Sequence, residues 1–399
     1  MNDAFPRLAR RQFLGLAGAA LTAATVPRSV TAAASAVPAT AAAEWRDSLI
    51  VNALGALNNP NQHESGSPNP AGQELQPRER LHFDARTLKD MRASGLTAVN
   101  WTIGFVAGPG DPFERSISDI ALYDRMIRDE SAHVLKVLKA DDILRAKRED
   151  KVGIIYGFQN ASMVGDTLDR VDIFADLGVR IIQLTYNPAN QIGDGSMAPG
   201  NRGLTPFGRE VVARLNDNRI MVDLSHSGEQ TCLEAAKVSR QPISINHTGC
   251  RALTDLPRNK TDAELRLVAE RGGFVGIYFM PFLHAQGKAS ADDVVAHIEH
   301  AIKVCGEDAV GIGTDGDVTQ IDDLEAYRGL LAKEIEERRK AGISAKGESP
   351  DTLPFVLDLR GPGQFFDLAA RLKQRGHSRS RIDKILGNNF LRYARDIWA

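Results

Sequence analysis

The sequence predicts an α/β fold in which eight parallel strands alternate with helices. Eight short apolar or β-branched runs recur along the chain. Most of them are continuous rather than alternating, which is typical of parallel strands buried on both faces. Segments with apolar residues three and four positions apart lie between the runs, as expected of helices that cover such a sheet. Eight alternations of this kind predict a (β/α)8 barrel of the TIM type, built as one domain with surface insertions.

The elements follow one another in a regular order. The predicted strands span residues 48–54, 97–103, 152–158, 179–186, 219–225, 241–247, 273–279 and 309–315. Helical patterns between them span residues 122–148, 205–218, 231–240, 261–272 and 292–306. The stretches 55–85 and 317–362 interrupt this order and are predicted to be insertions, while 383–399 has an apolar helical face that should pack back onto the barrel. Because no Pro-, Gly- or Ser-rich linker divides the chain, one barrel is a simpler account than two domains.

The first segment differs in composition from everything after it. Basic residues including Arg10 and Arg11 precede a short apolar run and then Ala, Ser, Thr and Pro. This order is typical of an export signal, and the adjacent arginines followed by Gln-Phe-Leu resemble a twin-arginine signal. We therefore expect an export signal at 1–43, a barrel at 44–399 and a periplasmic or otherwise exported location. The alternative is a disordered Ala-rich tail with a chance arginine pair.

Composition excludes several classes of protein. The 399 residues include 49 Lys plus Arg and 51 Asp plus Glu, a net charge of -2, so no nucleic-acid partner is expected. No segment after the signal reaches about 18 consecutive apolar residues, so no retained membrane span is expected. The three cysteines, Cys232, Cys250 and Cys305, are an odd number without CxxC spacing. They indicate neither a thiolate zinc site nor a disulfide framework.

The predicted strands end in an unusual set of side chains. Barrel enzymes place their chemistry at the carboxyl ends of the strands. His226 and His247 end the fifth and sixth predicted strands, Asp315 ends the eighth, and Asp223 lies nearby. Imidazole and carboxylate groups are metal-ligand types. A lone histidine here would more often be a hydrogen-bonded structural residue, but two on adjacent strands predict a metal or catalytic site.

Four segments in order, 203–231, 242–277, 311–317 and 387–393, resemble the membrane dipeptidase family, also called renal dipeptidase or peptidase family M19. The resemblance covers most of the chain after the signal. It implies a distorted (β/α)8 barrel with a binuclear zinc centre. It also implies hydrolysis of dipeptides, with tolerance for D-residues and for dehydro or β-lactam amide bonds, and a homodimer.

The resemblance assigns roles to several residues. His226 and His247 match two zinc ligands of the family on strands five and six. Arg251 matches the arginine that binds the substrate carboxylate, a task that suits a guanidinium fork. Asp315 matches the aspartate that contacts the metal-bound water and can move its proton. The alternatives are a surface cation for Arg251 and an ordinary strand-end acceptor for Asp315.

The other half of the family site is replaced. Ala53 and Gly55 stand where the family has a metal-binding histidine and aspartate at the end of strand one. Gln159 replaces the bridging glutamate after strand three, which removes the negative charge that holds two cations together. Tyr186 replaces a histidine that contacts substrate. We therefore expect the first metal position to be empty.

Loop residues offer a way to rebuild the lost ligands. His63, Glu64, His82 and Asp84 follow the first predicted strand, so a new ligand set is conceivable. Loop ligands need independent positioning, and solvated loop residues are the simpler interpretation.

The sequence thus predicts an exported, zinc-dependent, dipeptidase-like hydrolase of dipeptides or related small amides. The predicted metal ligands of its single zinc ion are His226 and His247, with Gln159 and Asp315. Asp315 and Tyr186 are predicted to be catalytic, and Arg251 and Tyr186 to bind a small peptide-like substrate. The alternative is a non-hydrolytic descendant that binds a peptide-like ligand or assists a periplasmic tailoring pathway. A sugar-active or amidohydrolase-like barrel enzyme outside this family would need paired carboxylates or further strand-end ligands, which the sequence does not offer.

Overall fold

The computed structural model describes residues 43–61 and 82–398. Apart from Ala43, the predicted export signal lies outside the described residues, and so do His63 and Glu64. Within the described ranges, none of the helices combines the length and the apolar character that crossing a membrane requires.

A curved parallel sheet forms the centre of the molecule. Its strands are β1 (Val51–Ala56), β2 (Ala98–Thr102), β3 (Val134–Lys136), β4 (Val152–Phe158), β5 (Val179–Gln183), β6 (Met221–Asp223), β7 (Ser244–Thr248), β8 (Phe274–Ile277), β9 (Val310–Ile312) and β10 (Gly316–Asp317). All pairings between named strands are parallel. The eight predicted strands coincide with β1, β2 and β4 to β9, so the predicted TIM-like (β/α)8 fold is confirmed.

The last strand closes the ring in two steps. β9 pairs with β8, and after three residues β10 pairs with β1. Between these segments the backbone N–H of Asp315 donates to the carbonyl of Leu54 at 2.9 Å. The strand that carries Asp315 therefore joins the final and first strands of the barrel.

Helices cover the outside of the sheet. They are α1 (Ala85–Ser94), α2 (Pro112–Asp129), α3 (Ala140–Arg148), α4 (Asp169–Asp176), α5 (Pro206–Asp217), α6 (Glu229–Val238), α7 (Asp262–Glu270), α8 (Ala291–Cys305), α9 (Leu324–Lys340), α10 (Gln364–Gln374), α11 (Arg379–Asp383) and α12 (Asn389–Trp398). Local sequence fixes several starts: Thr205 accepts from the N–H of Gly208 before α5, and Thr261 with Glu264 forms a capping box before α7.

The continuous helix predicted over 122–148 is wrong. Helix α2 ends at Asp129, β3 follows, and α3 begins at Ala140. Val134 pairs with Val152, so β3 shares the edge of β4 along which β5 also pairs. The apolar run around Val134 fits a buried strand as well as a helix, and this pairing decides between the two.

The two ends of the barrel differ in chemistry. At the amino end, Phe390, Tyr393 and Trp398 of α12 pack with barrel residues such as Val51 and Phe274. The predicted return of the C-terminal helix onto the barrel is thereby confirmed. At the carboxyl end of the barrel the buried side chains include polar ones, among them Gln159, His226 and His247.

The predicted insertion 317–362 contains β10 in part and all of α9. Tyr327, Leu331 and Ile335 of α9 are buried together with Leu353 from the segment that follows. The insertion therefore has a small apolar core of its own. The three cysteines are free thiols.

Candidate active site

Two histidines meet at the carboxyl ends of neighbouring strands. His226 follows β6 by three residues, and His247 lies in β7, where the register against β8 shifts between Ile245 and Thr248. Such a bulge re-aims side chains near strand ends. The two imidazole centroids are 4.9 Å apart at an interplanar angle of 59°. The structure thus brings together the two imidazoles that the sequence singled out, and both are buried.

Asn187 orients the ring of His226. The Nδ2 of Asn187 donates to the carbonyl of Ile343 at 2.8 Å, so its Oδ1 faces Nδ1 of His226 at 2.7 Å. An amide oxygen only accepts, so Nδ1 carries the proton and the neutral ring has its lone pair on Nε2. Hydrogen bonds of this kind fix the tautomer of metal-binding histidines in other proteins. Asn187 was not predicted from the sequence.

Tyr186 packs flat on the same imidazole. The two rings stack with centroids 4.3 Å apart at 25°. Its ring also packs with Ile343 of the insertion, and both Tyr186 and Arg338 of α9 line one cavity. Tyr186 therefore links the histidine pair to the insertion.

Asp223 ties β6 to β7 beneath the histidines. Its Oδ1 accepts from the backbone N–H groups of Ser225 and Asn246, each at 3.0 Å, and the Ser225 hydroxyl donates to it as well. The backbone N–H of His247 donates to Ser225 Oγ at 3.0 Å. Burial raises the pKa of Asp223 although these hydrogen bonds lower it. Its described contacts give Asp223 a structural role in holding His247.

Asp315 occupies a constrained position in the turn between β9 and β10. Its φ of 57° lies in the left-handed region, which non-glycine residues seldom adopt. With Tyr186 it lines one cavity at the mouth of the barrel. Strained backbone of this type occurs at functional sites.

Gln159 follows β4 directly and is 1% exposed. Among the described residues, neither its Oε1 nor its Nε2 has a hydrogen-bond partner. A buried amide without partners is costly, which is consistent with a role toward a bound group.

A hydrogen-bonded pair fills the corner where the family's other metal ligands would stand. Asn52 Nδ2 donates to Thr314 Oγ1 at 2.8 Å, and the backbone N–H of Thr314 donates to Asn52 Oδ1 at 2.8 Å. A Cβ on Gly55 would lie 2.1 Å from Asn52 Nδ2 and 3.0 Å from the carbonyl oxygen of Gly316. No side chain can therefore start at Gly55 while Asn52 keeps this position, and Ala53 is buried in the apolar barrel core.

These residues do not fit a two-zinc centre. In the ranges 43–61 and 82–398, no three His, Cys, Asp or Glu side chains form a group that could hold a metal ion. The paired imidazoles of His226 and His247 could supply two ligands to one cation, which would leave open positions for neutral ligands or water. The carboxylate that should bridge two cations is the neutral amide of Gln159.

Two of the loop residues considered as replacement metal ligands, His82 and Asp84, contact other parts of the chain. His82 is 61% exposed and lies 3.6 Å from Glu130, the residue that follows α2. Asp84 caps α1 by accepting from the N–H of Thr87 at 2.7 Å, and it also accepts from the side chain of Asn59. These contacts give neither residue a role beside the histidine pair.

The side chain of Arg251 pairs with two carboxylates. Its side chain is 38% exposed and contacts Asp255 at 2.7 Å and Glu229 at 3.6 Å. Its predicted role toward a substrate carboxylate stays a prediction.

A second arginine of the same loop is buried beside the histidines. Arg258 is 2% exposed, donates to the carbonyl of Ser225 and lies over the ring of Tyr278 at 5.9 Å. Lys260 donates to the carbonyl of Ser227, so two cations flank the backbone of His226. Neither residue was predicted to belong to the site, and the cue in the sequence is the run LPRNK, which places two basic residues soon after Arg251.

Comparison with known proteins gives a consistent result. The model of the membrane dipeptidase family (peptidase family M19) matches residues 55–346. Dipeptidase tcpJ of Claviceps purpurea (strain 20.1) is 27% identical over 330 residues, which cover 79% of this chain and 69% of that protein.

Solved structures agree with this match. An amidohydrolase from Pseudomonas aeruginosa is 32% identical with a TM-score of 0.72, covering 90% of this chain and 99% of its own. Dipeptidase AC, a metallopeptidase of family M19, shares the fold with a TM-score of 0.64 at 22% identity, over 79% of this chain and 89% of its own. The family match spans most of the chain and includes both histidines, so this chain belongs to the membrane dipeptidase family, peptidase family M19, as a dipeptidase-like member.

Proposed function

We propose that this protein is an exported hydrolase of dipeptides or related small amides that works with one divalent cation, zinc, held by His226 and His247. The observation that carries the proposal is the paired imidazoles, one of them oriented by Asn187 at 2.7 Å. The Asn52–Thr314 pair supports a count of one ion, because it fills the space that further ligands would need.

The protein's own residues divide the remaining work. When bound, a divalent cation polarises an amide carbonyl and makes water nucleophilic at neutral pH. Asp315, at the turn that closes the barrel, is the candidate to accept the proton of the attacking water and return it to the leaving amine. Tyr186 holds the ring of His226 by stacking and borders the space where substrate would lie. The side-chain amide oxygen of Gln159 is a neutral candidate for a further metal ligand.

Arg258 is the better candidate for anchoring the substrate carboxylate. Its guanidinium is buried beside His226, and the carbonyl of Ser225 and the ring of Tyr278 do not neutralise its charge. Arg251 already contacts two carboxylates. Among the described residues Arg258 forms no ion pair within 4 Å, although its charge lowers the pKa of nearby Asp223. A buried guanidinium in this state gains more from a bound carboxylate than an exposed, paired one does.

Location and partners rest on the sequence alone. The twin-arginine-like segment supports export, and the near-neutral charge supports a small peptide-like partner rather than nucleic acid. A homodimer is the assembly that the family resemblance implies.

A second function is favoured by the lost ligands. Ala53, Gly55 and Gln159 remove the charges on which a two-metal hydrolase depends, and Asn52 has filled part of the space. A non-hydrolytic descendant that binds a peptide-like ligand, or assists a periplasmic tailoring pathway, would keep the pocket and dispense with hydrolysis.

The deciding experiment measures dipeptide hydrolysis by the purified mature chain. We expect turnover that a chelator abolishes and zinc restores, and that is absent in His226→Ala and His247→Ala. His133→Ala, a change outside the histidine pair, is the control and should keep full activity. Absence of turnover across a broad dipeptide set, with zinc supplied, would refute hydrolysis and favour the binding function.

A further inference from the structure

A cavity of about 280 Å³ lies between the barrel mouth and the insertion that carries α9. Tyr186 and Asp315 border it from the barrel, and Glu334 and Arg338 border it from α9. This volume is close to that of small-molecule sites in proteins. Because Tyr186 also stacks on His226, the cavity adjoins the proposed reaction centre.

Most of the cavity wall is apolar. Aromatic and aliphatic side chains come from both the barrel and the insertion: Phe279, Phe282, Leu331, Ile335, Phe355 and Leu359. Walls of this kind contribute affinity for an apolar group through its removal from water. A ligand that fills the cavity therefore needs an apolar body.

One carboxyl oxygen in this wall, Glu334 Oε1, is buried and has no hydrogen-bond partner among the described residues. Arg338, one turn along α9, pairs instead with Glu348, through Nη2 at 2.8 Å and Nε at 3.1 Å. Burial raises the pKa of Glu334 to about 8, which the nearby Arg338 only partly offsets.

A buried carboxyl oxygen without a hydrogen bond costs stability, so its presence calls for a function. The ionisable groups that line the cavity are Asp315, Asp317, Glu334, Glu348, Arg338 and Arg360. Carboxylates outnumber guanidinium groups four to two among them, and Arg338 and Arg360 already donate to Glu348 and to the carbonyl of Ile321. Such surroundings favour a cationic ligand over an anionic one.

We propose that this cavity is a specificity pocket for a substrate side chain with an apolar body and a terminal primary ammonium, as in lysine, whose ammonium pairs with Glu334. The inference rests on the proposed function only in taking the substrate to be dipeptide-like. It adds the class of side chain that the substrate carries.

Binding calorimetry on the mature chain as purified tests the pocket without requiring turnover. The probes are lysyl-alanine and norleucyl-alanine, which share an apolar side chain of similar length and differ in the terminal ammonium. We expect lysyl-alanine to bind at least about tenfold more tightly, because a desolvated charge pair is lost in norleucyl-alanine. Equal affinities, or no binding of either probe, would overturn the proposal.

Substitutions in α9 test whether Glu334 is the residue responsible for the preference for lysyl-alanine. Glu334→Gln should bring the affinity for lysyl-alanine to within about twofold of that for norleucyl-alanine, while the affinity for norleucyl-alanine is unchanged, which shows that the pocket is still folded. Glu336→Gln is the matched control, since Glu336 is 49% exposed on the same helix and pairs with Arg339. A lysine preference that survives Glu334→Gln would overturn the assignment to Glu334.

The outcomes separate this inference from the proposed function. A lysine preference without hydrolysis of any dipeptide supports the pocket and refutes the hydrolase. Hydrolysis of dipeptides without a lysine preference refutes the pocket and leaves the hydrolase in place.

Discussion

Asn52 and Thr314 hold each other through two hydrogen bonds of 2.8 Å where the first strand of the barrel meets the last. The amide of Asn52 thereby occupies the space into which a side chain at Gly55 would project. The side-chain amide of Asn52 therefore has both its donor and its acceptor bonded to Thr314. A side chain at position 55 would therefore enter a packed corner rather than an open one.

The first prediction concerns Gly55→Asp, which restores a ligand type of the family pattern. Its Cβ would meet Asn52 Nδ2 at 2.1 Å, so Asn52 must give up its bonds to Thr314. We expect a loss of roughly 1–3 kcal/mol in the free energy of unfolding in urea, and no additional bound zinc.

Gly316→Ala is the control for this change, because the nearest atom to its new Cβ is 4.0 Å away. It should leave the unfolding midpoint nearly unchanged. A stable Gly55→Asp protein that gained a second zinc ion would contradict the packed corner.

The second prediction concerns Asn187, which orients His226. Asn187→Ala removes the acceptor for Nδ1, so we expect zinc affinity to fall by roughly 10–100-fold in a competition assay with a coloured chelator. Asn187→Asp keeps an acceptor oxygen and should retain most of the affinity. If Asn187→Ala bound zinc as tightly as the parent chain, the contact at 2.7 Å would have no bearing on the metal.

The third prediction compares the two arginines. Arg258→Lys keeps the positive charge but loses the guanidinium group that can bind both oxygens of a carboxylate. We therefore expect the KM for a dipeptide to rise by about tenfold or more. Arg251→Lys should change KM by less than about twofold, because Arg251 is exposed and paired with Asp255 and Glu229. The reverse ranking would assign the carboxylate anchor to Arg251.

The fourth prediction is a dependence of stability on pH. Burial raises the pKa of Glu334 to about 8 in the folded chain, from 4.5. When the pKa of a group is higher in the folded chain than in the unfolded chain, its stabilising contribution is complete at a pH below the unfolded-state pKa. This contribution is lost as the pH rises through the folded-state pKa. Glu334→Gln should therefore be more stable than the parent at about pH 9, by on the order of 2 kcal/mol, with a smaller difference at about pH 5.

Urea unfolding at both pH values measures this difference. Glu336→Gln, on the exposed face of α9, should show no such dependence. Parallel curves for the parent and Glu334→Gln across this pH range would mean that Glu334 is solvated. Burial is the main cause of the raised pKa of Glu334, while Arg338 lowers it and Glu337 raises it further.

The fold could be predicted because continuous apolar runs are a local signal that parallel strands carry. Val152–Phe158, buried along its whole length, is an example. The strand at Val134–Lys136 escaped prediction because its apolar residues also fit the helical period on either side. Only its pairing with β4 distinguishes the two, and that contact joins parts of the chain which local pattern does not relate.

The site could be predicted only where its residues end a strand. His226 and His247 come together because adjacent strands of a barrel end at one rim. The contacts of Asn187 with Ile343 and of Asn52 with Thr314 join residues far apart in the chain, so the spacing of residues in the sequence does not predict them.

Helix α9 also shows that local sequence does not reveal which side chains are buried. Glu334 and Glu336 both stand in a charged helical segment, and sequence alone predicts a solvated face for each. Burial against the cavity separates them, because Glu334 Oε1 is enclosed while Glu336 is 49% exposed.

The proposed site holds one metal ion between two histidines, in a barrel whose corner at Gly55 is packed. The number of zinc atoms per chain tests this directly, by elemental analysis of the purified mature protein after dialysis against zinc and then against metal-free buffer. We predict one atom per chain, reduced to none in His226→Ala and in His247→Ala. Two well-bound atoms per parent chain, or none, would contradict a single-ion site.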